Sequence, residues 1–140
     1  MKDLRPRLHR SLFQLSLLIL LAFNPHTLLM GQSCPSSGIL YVNIDATAGA
    51  NDGSSWTDAY TDLQDAIDLA CDCGDTEIWV AEGTYLPTRD KDGGGSGPSD
   101  RNNTFYIDCD LELYGGFDGT ETARSQRDYA AHITTLSGDL

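Results

Sequence analysis

The sequence predicts an all-β chain: short strands stacked as the start of a solenoid, preceded by a single helix. Three observations predict it. Runs of strand-forming residues are short and separated by turns rich in Gly, Asp and Pro. Only one segment carries a helical apolar period. Finally, Glu77-Ile-Trp-Val-Ala81 aligns with Glu112-Leu-Tyr-Gly-Gly116 at an offset of 35 residues, and Tyr114 lies 22 residues before Leu136. The difference is the length of the thirteen-residue stretch 89–101, so removing that stretch makes the spacing regular, as in a repeat with one coil interrupted by a surface insertion.

The N-terminus carries Lys2, Arg5, Arg7 and Arg10, followed by an apolar run from Ser11 to Phe23. This is the layout of a signal peptide over residues 1–33, with small residues Gly31 and Ser33 near the expected cleavage point. The run is shorter than the roughly 20 apolar residues of a comfortable membrane span. An uncleaved anchor and acylation of Cys34 are the competing readings, and Gly31-Gln32-Ser33 is a poor lipoprotein box. Without residues 1–33 the chain keeps five of its nine basic and twenty of its twenty-one acidic residues, a net charge near −15. That charge argues against nucleic acid and anionic membranes as partners.

The remaining chain, 34–140, reads as follows. Ile39-Leu-Tyr-Val-Asn43 is a strand entering a turn-rich loop, 45–55. Thr61 with Gln64 three positions on matches a capping box. Leu63, Ala66, Ile67 and Ala70 then recur at helical spacing, predicting a one-sided helix that ends near Gly74. Glu77–Ala81 and Thr84–Leu86 are strands broken by Gly83, and Thr104–Ile107, Leu111–Tyr114 and His132–Leu136 follow as further strands. So many short strands with one helix argue against a doubly wound α/β sheet.

Residues 89–101 have the composition of a flexible insertion. Asp90-x-Asp92-Gly93 offers calcium ligands, but Gly95 and Arg101 stand where an EF-hand needs acids, so no cofactor is assigned and calcium is kept as the lesser reading. All four cysteines, Cys34, Cys71, Cys73 and Cys109, follow the signal segment, and two disulfides in an oxidising compartment are expected. Cys71-Asp-Cys73 lacks the spacer of a zinc knuckle. Of three possible pairings, Cys71–Cys73 is the least attractive sterically. The offset of the aligned strands stacks Cys73 close to Cys109, which favours Cys73–Cys109 and leaves Cys34 with Cys71.

Asn51-Asp-Gly-Ser-Ser-Trp56, Tyr60-Thr-Asp-Leu-Gln-Asp-Ala66, Ile78-Trp-Val-Ala-x-Gly-Thr-Tyr85, Leu113-Tyr-Gly-Gly-Phe-x-Gly-Thr-Glu121, Arg127-Asp128 and Leu136-Ser-Gly-Asp139 occur in that order. Over 39–140 the chain thereby resembles the N-terminal region of bacterial secreted proteins with right-handed parallel β-helix repeats, of the pectin-lyase-like fold. The resemblance implies a right-handed parallel β-helix whose first coil is covered by a capping α-helix, with Leu63, Ala66, Ile67 and Ala70 facing inward. It also implies further coils, so a chain ending at Leu140 is expected to be truncated.

No catalytic constellation is assigned. His132 has no nucleophile motif beside it, Arg124 and Arg127-Asp128 read as supports of a turn, and twenty acids single out no pair. Trp56, Tyr60, Trp79 and Tyr85 are assigned to packing in preference to sugar stacking. Asn102-Asn-Thr104 matches a glycosylation acceptor only formally. The expectation is a non-catalytic capping part of a secreted or cell-surface protein that contributes to binding of polysaccharide or surface protein. The alternative is the N-terminal part of a polysaccharide lyase or glycoside hydrolase.

Overall fold

The computed structural model describes residues 33–139 apart from 96 and 98. The signal-peptide assignment, residues 1–33, lies outside them except for its last residue. Strand β1 (Ile39–Val42) leads through a loop into helix α1 (Leu63–Cys73), then come β2 (Glu77–Ala81), β3 (Gly83–Tyr85), β4 (Glu112–Phe117) and β5 (Thr134–Leu136). A 3₁₀ turn, Arg124–Gln126, precedes β5. The strands form two small parallel sheets, β1-β2-β4 and β3-β5. Because β1 and β2 run parallel, the chain must cross over between them, and α1 occupies that crossover.

The helix starts one residue later than the capping box predicts. Asp62, with extended backbone, is the N-cap, and its carboxylate accepts the Gln64 N–H at 2.8 Å. A carboxylate both fills an orphan donor and complements the positive end of the helix. Gly74 ends the helix with a positive φ of 63° and donates its N–H to Ala70 O. Leu63, Ala66, Ile67 and Ala70, the expected inward face, are all buried against Leu40 and Val42 of β1 and Ile78 and Val80 of β2. Each of the larger side chains among them, Leu63, Ile67, Leu40, Val42, Ile78 and Val80, contributes about 1.5–3 kcal/mol on removal from water. The alternate positions Tyr41, Trp79 and Tyr114 are in register across the sheet, on its other face. There Tyr41, Trp56, Trp79 and Phe117 pack together, with Trp79 stacked on Phe117 at 4.9 Å between centroids.

The all-β, right-handed parallel β-helix expectation is overturned. The described residues form a small mixed α/β domain, and no solenoid is seen among them. One of the two spacings is a real pairing: Glu77, Ile78 and Trp79 stand opposite Glu112, Leu113 and Tyr114. The other is not, because Leu136 pairs with Tyr85 in the second sheet and not with Tyr114. Equal spacing in the sequence therefore mixed a within-sheet offset with a between-sheet one. The helix is accordingly the crossover of a β-α-β unit.

The strand expected over Thr104–Ile107 is also absent. Its backbone is claimed by a helix side chain: Gln64, buried, accepts the Tyr106 N–H at 3.0 Å and donates to Tyr106 O at 2.9 Å. Strand-forming composition at 104–107 thus yields an extended segment fastened to α1. At its start Thr104 N–H donates to Arg89 O at 3.1 Å, closing the base of the 89–101 insertion. Arg89 itself reaches Asp65 and Asp68 of the helix, both at 2.8 Å.

Candidate functional site

The register Ile39↔Glu77↔Glu112 brings the starts of three parallel strands side by side. The turns that enter them line an open groove of about 690 Å³, whose walls are Ser37-Gly38-Ile39, Asp75-Thr76-Glu77 and Asp110-Leu111-Glu112. Four carboxylates, those of Asp75, Glu77, Asp110 and Glu112, belong to this lining. Asp75 has a positive φ of 44°, a backbone conformation that aspartate tolerates better than most residues, and it follows directly on the helix-ending Gly74.

The two disulfides tie the three walls together. Cys34, just before the first turn, is bonded to Cys73, just before the second, and Cys71 is bonded to Cys109, just before the third. Both span 5.5 Å between Cα atoms. This corrects the expected Cys73–Cys109 and Cys34–Cys71 pairing. The helix runs on through Cys73, so Cys71 and Cys73 are two residues apart on one helical turn and point to different sides. One side faces the first wall and the other the third. Cys34 is thus held in a bridge.

Glu77 and Glu112 carry the electrostatics of the groove's inner side. Arg124 Nη1 lies 3.0 Å from Glu77 Oε1 and 3.7 Å from Glu112 Oε2, and donates to the Tyr114 hydroxyl at 2.7 Å. Trp79 Nε1 donates to the other Glu77 oxygen at 2.8 Å. Arg124 and Arg127 both lie over the Tyr114 ring, at 4.5 and 5.1 Å from its centroid. Desolvation, then the hydrogen bond to Glu112, raise the Tyr114 phenol above its usual pKa. Asp75 and Asp110 make no salt bridge among the described residues. The groove therefore offers two carboxylates tied to a cation and two that face solvent as free acceptors.

The other sequence candidates fall elsewhere. Tyr60, Trp79 and Tyr85 are buried, and half-buried Trp56 donates its indole N–H to Glu121 O at 2.9 Å and packs against Tyr41 and Phe117. Burial pushes the Tyr85 phenol up to about 12. Asp128 supports its turn by accepting the N–H groups of Ala130 and Ala131, while Arg127 turns to Tyr114. His132 pairs with Glu82 at 3.0 Å. In the insertion, Asp90 accepts the N–H groups of Asp92 and Gly94. Among the described residues the one grouping of possible metal ligands is Cys71, Asp108 and Cys109, and its two sulfurs are bonded to each other.

Composition alone did not single out the groove residues, because Asp75, Asp110 and Glu112 are three of twenty scattered acids. The usable signal was the strand alignment, which already set Glu77 opposite Glu112. Comparison with protein-family models, with curated proteins and with solved structures finds no match. The two disulfides are consistent with an extracellular protein. Among the described residues no helix is long and apolar enough to cross a membrane.

Proposed function

We propose that this chain is a non-catalytic binding module of a secreted or cell-surface protein, and that it takes carbohydrate or surface protein across the groove at the strand starts. The observation that carries the reading is that both disulfides fasten the three segments lining that groove. Bracing of this kind lowers the ordering cost of binding, since the walls are already held before a ligand arrives. Carboxylates at Asp75 and Asp110 are acceptors suited to hydroxyl or ammonium donors. A net charge near −15 for the exported part disfavours anionic polysaccharides, which leaves neutral and amino-bearing polymers as the carbohydrate class.

The test is affinity electrophoresis of the oxidised protein in gels containing a neutral glucan, chitosan or polygalacturonate. Retardation by the first or second and not the third is expected, with most of it lost in Asp75→Asn/Asp110→Asn. Equal retardation of that variant overturns the groove as the site. Release of reducing ends or unsaturated products from any of the polymers overturns the non-catalytic reading.

A further inference from the structure

We infer that His132 is a pH-sensitive latch that fastens β5, and the turn leading into it, to the corner between β2 and β3. Its Nδ1 lies 3.0 Å from Glu82 Oε2 across a sequence separation of 50. Glu82 is the single residue between β2 and β3. Its backbone N–H donates to Phe117 O at 2.7 Å, and the next N–H, that of Gly83, donates to Ile133 O at 3.0 Å. The imidazole–carboxylate contact therefore lies over the seam where the end of β4 and the start of β5 join the β2–β3 corner.

The charged groups that act on the imidazole are all acidic. Besides Glu82 they are Asp118 and Glu121, in the turn after β4, and Asp128, in the turn before β5. Among the described residues no lysine or arginine makes a salt bridge to any of the four. Glu121 is buried and spends its carboxylate on the N–H groups of Asp118, Gly119 and Thr120, so it cannot turn away. A protonated His132 is the local counter-charge to this set. A neutral one leaves this acidic set without that counter-charge.

The hydrogen bond that the His132 ring donates to Glu82 raises the His132 pKa above the ordinary value; desolvation opposes it, and the charges of Glu82, Asp118 and Glu121 add to the rise. A raised folded-state pKa means that the latch is fully engaged below the ordinary histidine value of about 6.5 and lets go as pH rises through the higher folded value. The element it holds is weakly held otherwise: β5 has three residues, and Thr135 and Leu136 are exposed. Short exposed strands belong to the low-stability end of a domain's opening events.

The experiment is amide hydrogen exchange on the full-length, oxidised protein between pH 5.5 and 8.5, expressed as protection relative to an unstructured chain. The reporters are Gly83, which donates to Ile133 O, and Ser137, which donates to Tyr85 O, with Val80 in the central strand as reference. Protection at Gly83 and Ser137 should fall on the order of two- to fivefold as pH rises, the range of a part-exposed ion pair, while Val80 stays level. Glu82→Gln should flatten the fall and move the His132 proton resonances to a lower titration midpoint. His132→Asn should flatten it altogether. A level profile in the unmodified protein, or the same fall in either variant, overturns the latch.

Discussion

Replacing Cys71 and Cys109 together by alanine should cost the domain about 4 kcal/mol. The bridge joins residues 38 apart in sequence, and cross-linking a loop of that length removes roughly 13 cal/mol/K of entropy from the unfolded chain, or about 4 kcal/mol at 25 °C. Against a net stability of about 5–15 kcal/mol for a single domain, this is the difference between a folded and a marginal protein. With an unfolding entropy of about 2.1 cal/mol/K per residue over some 100 residues, the melting temperature should drop by roughly 15–20 °C. The assay is urea unfolding followed by tryptophan fluorescence, which reports on Trp56 and Trp79, each packed against Tyr41 and Phe117. If the double variant unfolds within about 1 kcal/mol of the unmodified protein, the bridge does not restrain the unfolded chain as argued. The bracing assigned to the groove walls would then lose its energetic basis.

Two further substitutions probe the elements that place the groove. Asp62→Ala removes the helix N-cap and the acceptor of the Thr88 hydroxyl, and should destabilise by about 1–2 kcal/mol in thermal melts followed by circular dichroism. Gly53→Ala places a methyl 2.7 Å from two ring carbons of buried Tyr60 at a φ of 72° and should cost more than about 1 kcal/mol, whereas a neutral outcome would mean that the loop against β1 repacks freely. The polysaccharide retardation series and the exchange profile across pH address the groove and the His132 latch separately, so either can fail without the other.

Local chemistry and pairing were legible to different depths. The helix face was readable because Leu63, Ala66, Ile67 and Ala70 sit at the one spacing that puts four side chains on a single stripe. The pairing of Glu77 with Glu112 was readable because matching strands carry matching alternation. What failed was inference from spacing to architecture. Leu136 lies at a tempting distance from Tyr114, yet it joins Tyr85, because a corner at Glu82 and Gly83 had already started a second sheet. Likewise Thr104–Ile107 had strand composition but met a buried Gln64 that satisfied its backbone first.

The sequence by itself determined the export-like N-terminus as an expectation, the acidic balance, the four cysteines destined for bridges, the helix and most strands, since each depends on residues within one segment. Tertiary structure alone decided the two-sheet mixed α/β arrangement, the Cys34–Cys73 and Cys71–Cys109 connectivity and the groove. The physical reason is the same for all three. Each depends on which segments lie side by side, and two cysteines at i and i+2 on the last turn of a helix point to different neighbours without changing any local preference.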